Sequence, residues 1–171
     1  MLIRQEETKD YQNIYHVIKT AFSSAERSDG NEQDLVNMLR KSKAFIPELS
    51  LVAENNGEII GHILFTKAEI GGSTQLALAP LSVLPEYQRQ GIGKALIKEG
   101  HKKAAEFGYG YSIVLGSEKY YPKMGYILAD VYGIKPPFDV PRENFMAYKL
   151  RGNTPDISGI IKYAKEFEEV G

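Results

Sequence analysis

The chain has 171 residues, 21 Lys and Arg against 22 Asp and Glu, a net charge of −1 and no cysteine. Such a balance offers no positive field for nucleic acid or an anionic membrane surface. Without cysteine there are no disulfides, no thiolate zinc site and no thiol nucleophile. An apolar fraction of 43% and a charged fraction of 25% predict one soluble domain with a real core. A cytoplasmic setting is expected: no apolar run approaches the ~20 residues of a membrane span, and acids at Glu6 and Glu7 do not suit an export signal.

Taken in chain order, Leu2–Gln5 is a short strand. Thr8 is placed to cap a helix reaching Phe22, with Tyr11, Ile14, Tyr15, Ile18 and Phe22 on one face. After a polar loop over Ser23–Asn31, a second helix buries Leu35, Met38 and Leu39. Pro47 is expected to break the chain before a strand at Leu49–Glu54. Asn55-Asn56-Gly57-Glu58 reads as a tight hairpin turn, because Asn and Gly accept positive φ. The meander continues through Ile59–Ile70, a Gly71-Gly72-Ser73 turn and Thr74–Leu84. Gly91–Phe107 is an amphipathic helix with Ile92, Ala95, Leu96, Ala104 and Phe107 on its apolar face, ended by Gly108. Tyr111–Leu115 is a buried strand, and a right-handed crossover makes it parallel to the strand before the helix. A short helical turn and strands at Tyr126–Leu128 and Asn144–Leu150 follow. Beyond Arg151, Pro155 and Gly159 argue against a long helix, and Ile160-Ile161-Lys162-Tyr163 suits an edge strand. No linker marks a second domain, so residues 151–171 are an extension packed on a domain of residues 1–150. The fold class is α/β of the α+β type: a mixed, mostly antiparallel sheet with flanking helices.

The most informative segment is Gln88-Arg89-Gln90-Gly91-Ile92-Gly93-Lys94, between a strand and a helix. A helix N-terminus has amides without intrahelical partners and a positive dipole end. Glycines let an anion approach those amides, and Arg89 and Lys94 add mobile positive charge. The segment is therefore a phosphate or pyrophosphate cradle. It is neither a Walker A loop, which needs Gly-Lys-Ser/Thr, nor a dinucleotide fingerprint, because Leu96 stands where the third glycine belongs.

The stretch from Pro80 through Leu84-Pro85-Glu86-Tyr87 into Gln88, Gly91 and Gly93 resembles the acetyl-CoA signature of the GNAT superfamily of N-acetyltransferases. Tyr120-Tyr121-Pro122-Lys123-Met124-Gly125-Tyr126 resembles that family's later tyrosine-glycine motif, at a suitable interval. The likeness spans about residues 1–150. Phe138–Ala147 and Gly159–Tyr163 look similar to the YhbS-like branch. The resemblance implies a GNAT-like sheet in which two neighbouring parallel strands splay apart around acetyl-CoA, used as co-substrate. Backbone groups of Leu81, Ser82 and Val83 would then bind the pantetheine arm, and Gln88, Arg89, Gln90, Gly91, Ile92, Gly93 and Lys94 the pyrophosphate. It also implies direct attack of a neutral amine on the thioester, with Tyr121 as general acid toward the coenzyme A sulfur; Tyr120 is its neighbour and alternative. A phenol of ordinary pKa near 10 is protonated at pH 7 and can donate.

The base is left open among His62, Glu32, Glu118 beside Ser117, and a chain of waters. No nucleophile elbow is present, and His16, His62 and His101 lack metal-ligand spacing, so no metal is expected. The acceptor is a small-molecule or peptide amine; acids at Glu26, Asp29, Glu32 and Asp34 would suit a cationic one. A homodimer is compatible with the resemblance. Two other readings stand beside the enzyme: an acyl-CoA-binding sensor without catalysis, and a nucleotide-binding regulatory domain.

Overall fold

A computed structural model describes residues 1–23 and 28–169; Glu26, one of the acids named above, lies outside the described residues. The order is β1 (Leu2–Gln5), α1 (Tyr11–Phe22), α2 (Glu32–Arg40), β2 (Phe45–Asn55), β3 (Glu58–Ile70), β4 (Ser73–Val83), α3 (Ile92–Glu106), β5 (Tyr111–Leu115), β6 (Ile127–Leu128), β7 (Ile134–Lys135), β8 (Phe145–Lys149), β9 (Gly159–Ile160) and α4 (Glu166–Glu169). Seven strands form one sheet in the order β1-β2-β3-β4-β5-β8-β6. Its pairs are antiparallel except β4 with β5, which run parallel. This is the mixed, mainly antiparallel sheet expected. Among the described residues no helix is long and apolar enough to cross a membrane.

Local sequence explains the meander. Asn56 (φ 51°) and Gly57 (φ 82°) take the two left-handed positions that a two-residue hairpin needs. Pro47 corrects the expectation of a break, since it lies inside β2. The β2–β3 register slips between Phe45 and Ser50, and a residue without an N–H is tolerated where the ladder is interrupted.

The helices also differ from the expected stripes. A 3-10 turn, Thr8–Asp10, precedes α1, and its start is fixed by the Asp10 carboxylate accepting from the Glu7 N–H at 2.8 Å, not by Thr8. Arg4 holds that carboxylate with bonds of 2.7 and 3.0 Å. The buried residues of α1 are Ile14, Val17 and Ile18, while Tyr15 reaches outward to donate to Asp34 at 2.9 Å. In α2 they are Gln33, Val36 and Leu39; Leu35 and Met38 are only partly buried. Gln33 is tolerated there because its amide donates to the Gly30 carbonyl at 3.0 Å. In α3, Phe107 is 52% exposed, whereas Ile97, Gly100 and His101 are buried. His101 fits because its ring stacks on Tyr148 at 4.1 Å and its Nε2 pairs with the Tyr126 hydroxyl at 2.9 Å.

α3 covers one face of the sheet: a side chain at Gly61 would abut Leu96 and Ile92, and Gly100 lies against the Phe65 ring. Strand alternation turns His62, Leu64 and Thr66 to the opposite face, where Arg40 of α2 reaches. A second apolar cluster gathers Ala77, Tyr111, Ile113, Ile134 and Ile161. The chain after Arg151 thus contributes core through Ile161, which is 1% exposed. Its strand β9 pairs with β7 in a separate two-stranded sheet, and Lys162 exchanges backbone bonds of 3.0 and 2.8 Å with Glu69 of β3.

Candidate active site

The parallel strands β4 and β5 pair only at Leu76–Ser112 and Ala77–Ile113. Beyond those positions β4 runs on to Val83 and β5 to Leu115 with no ladder between them. A register shift contributes: Ile63 faces Leu81 while Phe65 faces Leu78, so Ala79 and Pro80 stand opposite Leu64 alone. Such a bulge bends a strand and increases its twist.

The backbone of β4 offers donors and acceptors to the separated side. The Leu84 N–H donates to the Ile60 carbonyl at 2.9 Å. Alternation along an antiparallel ladder then turns Ser82 toward its partner His62, and Leu81 and Val83 away from β3. The Val83 carbonyl accepts from Gln88 Nε2 at 3.0 Å, which ties the strand end to the glycine segment.

In that segment Arg89 (φ 64°) and Gly91 (φ 86°) are left-handed, and Ile92 opens α3. Gln90 Nε2 braces the turn on the Glu86 carbonyl at 3.1 Å. A side chain on Gly91 would meet nothing within 4 Å, so the space before the unpaired amides of the helix end is open. Gln88, Arg89, Gln90 and Lys94 are exposed around it; Ile92 and Gly93 are buried. Phosphate oxygens fit this donor set. Next to it, Lys94, Lys98, Lys102 and Lys123 rim a cavity of about 400 Å³ floored by Ile97, Met124 and Tyr148. The four-residue spacing of the helix lysines was legible, but in sequence it reads as a solvated face.

The tyrosine motif lies between the end of β5 and the start of α3. The Tyr121 ring packs on Gly116, just past the end of β5, and edge-on to Tyr120 and Tyr126 at 5.1 and 5.6 Å. The Tyr120 hydroxyl rests on Gly93, a placement its position beside Tyr121 alone did not indicate. Burial raises both phenols above their ordinary pKa, Tyr121 strongly, so both carry their proton at neutral pH.

The three acceptor-side residues named from sequence are not brought together. Glu32 folds back on its own loop, accepting from the Ser28 hydroxyl at 2.8 and 2.9 Å and the Asp29 N–H at 3.2 Å. Glu118 accepts from Asn144 Nδ2 at 2.7 Å, an amide that also bonds the Gly116 carbonyl at 3.0 Å. His62 is fully buried within the sheet. Among the described residues no group of three or more His, Cys, Asp or Glu is placed to hold a metal ion.

A splayed parallel pair with an open helix end beside it offers a free strand edge and unpaired amides to an extended, phosphate-bearing ligand. Residues 11–126 match the Acetyltransferase (GNAT) family, and the chain belongs to that family. It is 36% identical over 141 residues to the uncharacterized N-acetyltransferase YjhQ of Escherichia coli K12, covering 78% of each chain. It is 29% identical over 171 residues to the uncharacterized N-acetyltransferase YhbS of the same strain, covering 98% of each. The crystal structure of E. coli YhbS with CoA superposes with a TM-score of 0.89 at 27% identity, over 99% of this chain and 93% of that one. A Brucella melitensis GNAT acetyltransferase with acetyl-CoA gives 0.80 at 32% identity, over 97% of both. The chain is an N-acetyltransferase of that family.

Proposed function

We propose that the protein moves the acetyl group of acetyl-CoA to a primary amine by direct attack of that amine on the thioester. The observation that carries this reading is the outward-turned backbone of Leu81 and Val83, where β5 has separated, beside the open helix end at Gly91. Leu81 and Val83 hold the pantetheine arm, and Gln88 through Lys94 hold the pyrophosphate; Ser82, expected from sequence to share in the arm, has its backbone turned to β3 instead. Lys98 and Lys123 lie beyond Lys94 on the same cavity rim and suit the further phosphate of the ribose. Tyr121, which carries its proton at neutral pH, donates it to the departing sulfur. The acceptor is a small-molecule or peptide amine. A cysteine-free chain suits the reducing cytoplasm, and homodimerisation is compatible with the reading.

The test has two stages. Calorimetric titration with acetyl-CoA, ATP and NAD should give binding with acetyl-CoA alone; binding of ATP or NAD without acetyl-CoA sinks the proposal. Acetyl-CoA consumption is then followed with spermidine, L-lysine, a lysine-containing peptide and kanamycin as acceptors. Tight acetyl-CoA binding with no turnover on any amine favours a sensor instead.

A further inference from the structure

Directly across the strand pair from Ser82 lies a buried polar cluster that no step above uses. His62 is 0% exposed, and its Nε2 is 3.0 Å from Ser50 Oγ and 3.4 Å from Glu6 Oε1. Glu6, just after β1, is itself gripped by Arg40 of α2, whose Nε and Nη2 donate to its two oxygens at 2.9 Å each. Burial would raise the Glu6 carboxyl, but the bonds from His62 and Arg40 outweigh it and hold the group at about 2. Glu6 is therefore a carboxylate, and a carboxylate only accepts hydrogen bonds. The imidazole hydrogen belongs on Nε2, facing Glu6 and Ser50, which leaves Nδ1 as a bare lone pair.

That Nδ1 is buried with no hydrogen-bond partner, and so is Ser82 Oγ. His62 and Ser82 are direct cross-strand partners, which puts their Cβ atoms ~5 Å apart on one face. Buried polar atoms without partners are uncommon and costly. Here an acceptor-only nitrogen faces a hydroxyl, within reach of one bridging water or a rotation of Ser82. Ser82 in turn sits between Leu81 and Val83, on the strand that borders the cleft.

We propose that His62 is the proton acceptor of the transfer, reached from the cleft through Ser82 and oriented by Glu6. The inference rests on the reading of the cleft as the acetyl-transfer site. An acceptor ammonium loses two protons in becoming the amide. One passes to Ser82 as Ser82 passes its own to His62 Nδ1, and it returns to solvent by the same path when the products leave. The other replaces the proton that Tyr121 gives to sulfur. The charged groups facing His62 are Glu6 and Arg40. Burial lowers the proton affinity of the ring and the Glu6 carboxylate opposes that effect, so His62 rests neutral and its imidazolium forms beside an anion.

The test uses the full chain labelled with 15N-histidine, His62 being assigned by the signal lost in His62→Gln. The expected spectrum at pH 7 has His62 protonated on Nε2 alone. Its Nδ1 resonance shifts when acetyl-CoA is added, and shifts less in Ser82→Ala. A proton on Nδ1, or an Nδ1 signal indifferent to acetyl-CoA, overturns the proposal. Failure to bind acetyl-CoA at all overturns the functional reading instead, and the tautomer is still read. With the best acceptor of the panel, His62→Gln should lower kcat about 100-fold at pH 7, with acetyl-CoA affinity within about twofold. The deficit should shrink as pH rises past the pKa of the amine, because a neutral amine needs no acceptor for its first proton. A deficit that is flat in pH identifies a packing role and sinks the idea. Ser82→Ala, a smaller change, should reproduce the same pH trend at about tenfold loss; if His62→Gln does not fold, that variant and the tautomer decide.

Discussion

The hydroxyl of Tyr120 sits where the side chain of residue 93 would begin, so any residue larger than glycine there must displace that phenol. The next ring atom, Cζ, is 3.5 Å from the same point, an ordinary contact. Gly93→Ala should therefore cost about 1–3 kcal/mol by overpacking and weaken acetyl-CoA binding by pushing Tyr120 across the cleft. Adding Tyr120→Phe removes the clashing oxygen and should recover most of both losses. A double-mutant cycle by thermal melts and calorimetry measures this; strictly additive effects would show that the two residues do not meet.

Gly100 makes the corresponding point in the core. A side chain there would drive into the Phe65 ring, whose Cζ is 2.8 Å from the Cβ position. Replacing a mid-helix glycine with alanine ordinarily gains about 1 kcal/mol of helix propensity. Gly100→Ala should instead lower stability by about 1–3 kcal/mol in urea unfolding, and Phe65→Leu should relieve part of it.

His101 predicts an acid-sensitive fold. Burial lowers its pKa from 6.5 to about 4. Between those values the unfolded chain binds a proton that the folded chain refuses, so stability falls as pH drops through that window. The upper bound from the shift is about 3 kcal/mol, lost progressively from pH 6.5 to about 4. In His101→Phe, which keeps an aromatic ring against Tyr148, the slope of melting temperature against pH in this window should flatten. An unchanged slope would place the sensitivity elsewhere.

The tyrosine pair should separate by rate. Loss of a general acid reduces turnover by about 100-fold or more, so Tyr121→Phe should lower kcat by that order with acetyl-CoA affinity nearly unchanged. Tyr120→Phe should shift affinity more than kcat. The reverse pattern would make Tyr120 the donor.

The lysine rim predicts a preference between two ligands. Lys98→Ala with Lys123→Ala should weaken acetyl-CoA about tenfold, the loss of roughly 1.4 kcal/mol. Dephospho-CoA, which lacks the ribose phosphate, should be affected far less. Equal losses by calorimetry would mean that the rim does not hold that phosphate.

Much of the backbone around the candidate site was legible because it rests on local rules. Asn56-Gly57 announces a hairpin by its tolerance of positive φ, and Gly91 announces an open helix end in the same way. The sequence by itself determined the element order, the helix start after Gly91 and the turn that carries the tyrosines, since each depends on residues a few positions apart. What only the tertiary structure decided depends on residues far apart in the chain. Arg40 and His62 converge on Glu6 from 34 and 56 positions away, and no periodicity in any one segment encodes that meeting. Pro47 stays in a strand because β3 slips its register beside it. Phe107 faces out while His101 is buried, because Tyr126 and Tyr148 give the histidine ring its partners. A helix stripe records which side chains are apolar; the packed neighbours decide which polar ones can join them.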